Sequence, residues 1–206
     1  TQAYQLWFNK KHDVLKVEED KLLSTYVETV DTFAAMNQLL PREEWPAEHE
    51  PHYVVYLCGA HRHANVIPPF NVHSFPKQEQ DRSKRFLRMY IDNYFEHLMP
   101  GAYKDGNFMY DYLVDLNNES GVKRLDFQYH RVNISPAESY VLSVRNSSKY
   151  RLKTDESGFD NLLLTGDWIQ NGLNAGFVEG AVTSGLLTAE VIMGKKLDII
   201  GLDWLS

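Results

Sequence analysis

The sequence predicts an α+β chain that ends in α/β character. A mixed sheet with interspersed helices is expected over residues 1–160, and a strand–loop–helix segment over residues 161–206. Three observations carry this expectation. Short β-branched and aromatic runs with partial alternation recur through the first region, as half-buried strands do. Helical periodicity interrupts them without a regular βαβ rhythm. Near the end, a continuous apolar run, a Gly-Asp pair and a helix rich in small residues follow in direct succession.

The elements are justified in chain order. Thr1 leads directly into the apolar-rich Ala3-Tyr-Gln-Leu-Trp-Phe8, a start more ordered than most natural termini, so the chain is expected to be a fragment of a longer protein. Strand-like runs follow at Leu23–Val30, Tyr53–Cys58, Leu125–Tyr129 and Tyr140–Val144. A short helix is predicted from an N-cap at Asp31 or Thr32 to Leu40, stopped by Pro41. From Asp81 to Met99, the residues Phe86, Leu87, Tyr90, Ile91, Tyr94, Phe95 and Leu98 fall at helical spacing, and Pro100-Gly101 ends that helix. Loops are expected at Pro41–Pro51, Ala60–Gln80 and Lys104–Val122.

In the last region, Leu162-Leu-Leu-Thr165 reads as a strand covered on both faces, as in a parallel sheet. The helix after it carries Val178, Ala181, Val182, Gly185, Ala189 and Ile192 on one side, an apolar stripe expected to lie on the sheet. Gly194 and the cations Lys195 and Lys196 suit its C-terminus.

Bulk properties narrow the function. A hydrophobic content of 43% and a charged content of 24% describe an ordinary globular protein. A net charge of −7 argues against a nucleic-acid partner, which needs a clustered cationic footprint. Arg82, Lys84, Arg85 and Arg88 scatter around one helix as a solvated face. The single cysteine, Cys58, rules out an internal disulfide and fits a reducing, cytoplasmic compartment. No apolar run reaches the length of a membrane span.

Other chemistries find little support. His49, His52, His61, His63 and His73 are close in sequence but lack compact ligand spacing, so surface histidines are expected and no metal site is assigned. Cys58 sits in an apolar run where a thiol behaves as a small hydrophobe. No Gly-x-Ser-x-Gly elbow is present for acyl transfer. Glu18, Glu19, Asp20, Glu43 and Glu44 read as solvated charge.

The Gly-Asp segment is different. In open α/β sheets, ligands bind beyond the carboxyl ends of strands, where the next helix offers free amides. Gly166 would turn the chain there, Asp167 would offer an acceptor to sugar or ribityl hydroxyls, and Gly172 and Gly176 would let a cofactor approach the backbone. Gly172, Gly176 and Gly180 also have the spacing of a helix-packing device, which is the alternative reading. Trp168 either lines a ligand cavity or packs under the loop.

The residues Asn161-Leu-Leu-Leu-Thr-Gly-Asp-Trp-Ile169 and Gly172-Leu-Asn-Ala-Gly-Phe-Val-Glu-Gly-Ala-Val-Thr-Ser-Gly185 resemble the C-terminal FAD-binding segment of the flavin-containing amine oxidase and phytoene desaturase superfamily. In its members a strand of the form NLFLAGDWT precedes GLNAGCVEGAVMSG. The resemblance implies that residues 161–206 are the last strand and helix of a Rossmann-like FAD-binding domain and residues 1–160 a substrate-binding region. It implies cofactor binding by Gly166, Asp167, Trp168, Asn174, Gly176, Phe177 and Val178. Asp167 would contact the ribityl–diphosphate region, and the backbone of Gly176, Phe177 and Val178 the flavin pyrimidine edge. No G-x-G-x-x-G follows a strand anywhere in the chain, so the N-terminal dinucleotide-binding unit is expected to be missing.

The implied reaction is hydride removal from an amine or an apolar C–C substrate to flavin. No residue is named as catalytic, because the cofactor carries the redox step. The missing dinucleotide-binding part is an expected partner, as is peripheral membrane contact of the full protein. The alone-standing chain is expected to be inactive. The rival reading is a non-catalytic binding protein, in which a degenerate flavin fold holds a hydrophobic ligand or partner.

Overall fold

The computed structural model describes residues 1–25, 27–28, 30–61, 68–135, 138, 143–200 and 202. Two compact units emerge, Thr1–Glu138 and Ser139–Ser206. The segment before Asn161 belongs with the second unit because it hydrogen-bonds there: Leu164 N–H donates to the Thr154 carbonyl and Gln170 N–H to the Leu152 carbonyl, both at 2.8 Å.

The first unit is built on a sheet of order β2-β3-β4-β1-β7. Its strands are β1 (Gln2–Phe8), β2 (Leu22–Ser24), β3 (Thr32–Ala35), β4 (Tyr53–Gly59) and β7 (Tyr129–Val132). Strict alternation places Gln2, Tyr4, Leu6 and Phe8 inside while Ala3, Gln5 and Trp7 are half-buried, which is how a strand with one covered face reads. A mixed sheet is the expectation, but among the described residues every pairing in this sheet is antiparallel. No helical crossover of the kind that parallel neighbours need joins two paired strands.

Helix α2 (Phe75–Asn93) contributes Leu87, Tyr90 and Ile91 to the same core as Tyr4, Leu6, Phe8, Phe33, Tyr53 and Leu57. It starts before Asp81 because Pro76 lies in its first turn, where a missing N–H costs nothing. It stops at Asn93 rather than Met99, and a 3-10 turn at Phe95–His97 follows. A short helix, α1 (His12–Leu15), ends on Lys16 in the left-handed region, φ 55°.

Several sequence expectations are corrected in this unit. Asp31–Leu40 is not a helix: Thr32–Ala35 is β3, paired from Thr32↔Cys58 to Ala35↔Val55, and a 3-10 turn covers Asn37–Arg42. Two flanking strands satisfy the backbone of this β-branched and aromatic stretch, so pairing wins over weak helix propensity. Leu125–Tyr129 is mostly a 3-10 turn, Gly121–Asp126, and the strand begins only at Tyr129. The expected loop Lys104–Val122 contains a hairpin of β5 (Tyr103–Lys104) and β6 (Asn107–Phe108), turned by Asp105 and Gly106 with φ 51° and 74°. Both values suit a two-residue type I′ turn. Of the run Leu23–Val30, only Leu23 and Ser24 are in a strand, and Tyr26 and Thr29 lie outside the described residues. Tyr140–Leu142 of the expected strand Tyr140–Val144 also lie outside them.

The second unit contains helix α3 (Val178–Met193), closed by Gly194 at φ 61°, whose N–H reaches back to the Glu190 and Val191 carbonyls. That ending matches the sequence expectation. The apolar run Leu162–Thr165, by contrast, belongs to no strand, and Leu162 is 48% exposed. Among the described residues this unit has no strand to pair with it. The inward face of α3 is also corrected. Val178 and Ile192 of the apolar stripe are 74% and 72% exposed, while Gly180 and Ser184 are buried. The reason is polar: the Ser184 hydroxyl accepts from Gly166 N–H at 2.7 Å, and the Thr188 hydroxyl donates to the Leu164 carbonyl at 3.1 Å. The extended segment thereby satisfies backbone groups that a sheet neighbour would otherwise take.

Candidate cofactor-binding site

The site is a loop from Gly166 to Phe177 held between the extended segment and the first turn of α3. Gly166 has φ 126°, which only glycine adopts readily, and a Cβ there would sit 2.6 Å from the Trp168 indole. The turn is therefore closed over by Trp168. That side chain is 40% exposed, so it both packs on the loop and shows a face to solvent.

Three buried side chains fix the loop, and none of them was singled out from the sequence as a site residue. Arg151 donates from Nη1 to the Asp167 carbonyl at 3.0 Å and from Nη2 to the Ser143 hydroxyl at 2.9 Å. Asn171 Oδ1 accepts from Leu173 N–H at 3.1 Å and Asn174 N–H at 2.8 Å, and its Nδ2 donates to the Gly180 carbonyl at 3.0 Å. Ser184 holds Gly166 N–H as described. Asn171-Gly172 was the available signal, since an asparagine before glycine favours an Asx turn. The partners of Arg151 lie far along the chain, so local pattern does not name them.

Gly166, Asp167, Trp168, Asn174, Gly176 and Phe177 lie on this loop, and Val178 opens α3. The Asp167 backbone is anchored, yet among the described residues nothing donates to its carboxylate. Asn174 is left-handed, φ 52°, and its Oδ1 is buried with no partner among the described residues. Gly176, Phe177 and Val178 are exposed at the start of α3, and Phe177, the N-cap, supplies no side-chain cap. The first-turn amides of a helix lack intrahelical partners and favour negative charge. Gly180 permits the close approach of loop and helix: a Cβ would meet the Ala175 carbonyl at 3.1 Å. An uncommitted carboxylate, an orphaned amide oxygen and an uncapped helix start are the chemistry that a polyhydroxylated, anionic cofactor would use. The residues fit FAD.

Among the described residues no group of three or more His, Cys, Asp or Glu side chains could hold a metal ion, and His63 lies outside those residues. His61 is instead buried against Glu79. Among the described residues no helix is long and apolar enough to cross a membrane.

No curated protein and no solved structure matches the chain. The family model of flavin containing amine oxidoreductases matches residues 117–193, less than half of the chain but including the whole loop from Gly166 to Phe177 and α3. That similarity points to the flavin-dependent oxidoreductases.

Proposed function

We propose that the chain is the C-terminal part of an FAD-dependent oxidoreductase that takes hydride from an amine or an apolar C–C substrate. When bound, the flavin supplies the two-electron chemistry. The chain's own residues bind and orient it. Asp167 accepts hydrogen bonds from ribityl hydroxyls, Arg151 and Asn171 hold the Asp167 turn in place, and the uncapped start of α3 stabilises negative charge on the ring system. Gly166, Trp168, Asn174, Gly176, Phe177 and Val178 form the rest of the surface. The dinucleotide-binding part of the same protein, which no G-x-G-x-x-G in this chain supplies, would cover the apolar residues that α3 exposes, Val182, Leu186 and Ile192.

The observation that carries this reading is the family match over a loop in which, among the described residues, nothing donates to the Asp167 carboxylate. Its test is Asp167→Ala in the complete polypeptide. A hydrogen bond to a charged group contributes about 1.5–3 kcal/mol, so flavin affinity is expected to fall roughly 10- to 100-fold. Thermal stability without flavin is expected to stay unchanged, because that carboxylate holds nothing else here. Unaltered flavin affinity in this variant would remove Asp167 from the site. A complete polypeptide that takes up no FAD would instead favour a non-catalytic binding protein.

A further inference from the structure

The first unit buries a polar cluster that the flavin reading does not use. His61 follows β4, and its side chain is 3% exposed. Its Nε2 lies 2.7 Å from Glu79 Oε2 on α2, and its Nδ1 lies 3.2 Å from Gln2 Oε1 on β1. The Ser83 hydroxyl donates to the same Gln2 oxygen at 2.7 Å, and the Tyr4 hydroxyl lies 2.9 Å from it. The Tyr4 and Ser83 hydroxyls lie 2.6 Å apart and share one proton between them, and the Ser83 hydroxyl donates to the Gln2 amide oxygen. Both ring nitrogens of His61 therefore face acceptors. A neutral imidazole carries one N–H and would turn a lone pair on one of these oxygens, whereas an imidazolium donates to both.

We propose that His61 is held as an imidazolium between Glu79 and Gln2, forming a pH-sensitive latch that ties the end of β4 to α2 and β1. Other groups shape its surroundings. On α2, Arg82 reaches Glu79 Oε1 at 3.4 Å, and Arg82, Arg85, Phe86 and Met89 line a cavity of about 290 Å3 beside His61. On β1, Tyr4 stacks on His130 of β7, with ring centroids 5.3 Å apart. His130 Nε2 is 3.0 Å from the Ser83 hydroxyl. Burial, with Lys84 and His61 as nearby cations, pushes His130 down to about 4, while Asp81 opposes them.

The two histidines bend stability in opposite ways. An imidazolium stabilised by folding titrates above the ordinary 6.5, so its contribution is full below 6.5 and is lost as pH rises through the folded value. His130 titrates at about 4 in the folded chain, so its contribution is full above 6.5 and is lost as pH falls toward 4. The latch predicts a loss of stability on the alkaline side that His130 cannot cause.

The test is nitrogen NMR of labelled protein, with the His61 ring signals assigned by their absence in His61→Gln. Both ring nitrogens are expected to be protonated at pH 7, with a midpoint above 6.5 that Glu79→Gln lowers by about one unit or more. Amide exchange checks that Glu79→Gln remains folded. If it does not fold, the wild-type titration decides by itself. A neutral His61 ring at pH 7 would overturn the proposal, as would a midpoint indifferent to Glu79→Gln. Urea midpoints between pH 7 and 9 are expected to fall in the wild type and to stay flatter in His61→Gln.

Discussion

Replacing Asn171 with alanine is expected to destabilise the second unit by about 3 kcal/mol or more and to abolish flavin uptake by the complete polypeptide. The side chain is 1% exposed and serves three backbone groups at once. Alanine would leave the Leu173 and Asn174 amides and the Gly180 carbonyl without that partner. A lost bond costs about 0.5–1.5 kcal/mol where it is part-buried, as at Leu173 and Asn174, and about 1–3 kcal/mol where it is buried, as at Gly180. The same change frees the Asp167 turn from the first turn of α3, because Asn171 Nδ2 also approaches the Asp167 carbonyl at 3.4 Å. Asn171→Asp keeps the acceptor that serves Leu173 and Asn174 but loses the donation to Gly180, so an intermediate loss is expected. Amide exchange over residues 166–184 measures the loosening, and flavin titration measures its consequence. Equal protection in the alanine variant and the wild type would contradict this role.

Gly101→Ala is expected to cost the first unit about 3 kcal/mol or more, at the severe end of overpacking. A Cβ on Gly101 would lie 2.0 Å from the Val14 carbonyl oxygen and 2.5 Å from the Leu15 carbonyl carbon. Both obstacles are backbone at the end of α1, so no side-chain rotation relieves the clash. Leu15 is fully buried, and moving its backbone would disturb the core. Gly106→Ala is the control: its φ of 74° is unfavourable for alanine, but nothing lies within 4 Å, so a loss of only about 1 kcal/mol is expected. Urea unfolding of the two variants side by side measures the difference. Similar midpoints for both would mean that the approach of α1 to Gly101 is not a tight one.

What the sequence made legible were elements whose identity depends on local pattern. The apolar run at Tyr53–Cys58 is β4, and the helical spacing of Leu87, Tyr90 and Ile91 does mark the buried side of α2. Gly194 ends α3 because the left-handed C-cap is a local requirement. Elements decided by distant partners were less legible. Thr32–Ala35 becomes a strand because β2 and β4 flank it, and the β-branched and aromatic Thr32-Phe33 is too short a signal to decide this locally. The stripe of α3 misled for a related reason. Apolar spacing indicates a face that can be buried, but Ser184 and Thr188 turn the other face toward the extended segment by satisfying its backbone.

The site was partly legible in the same sense. Gly166 and Asp167 announce a turn, and the chain does turn at Gly166, while among the described residues nothing donates to the Asp167 carboxylate. The anchors were hidden. Arg151 binds a carbonyl 16 positions away, from Asp167 back to 151. Asp105-Gly106 was a readable hairpin signal that the surrounding polar loop obscured.

The most direct measurement is the visible absorption spectrum of the complete native polypeptide, purified without added cofactor, beside that of the 206-residue chain alone. Flavin bands in the complete protein and none in the chain alone are the expected result, because the loop from Gly166 to Val178 would supply only part of the site. A colourless complete protein that also fails to take up added FAD would contradict the account and leave the Gly-Asp loop as a packing motif.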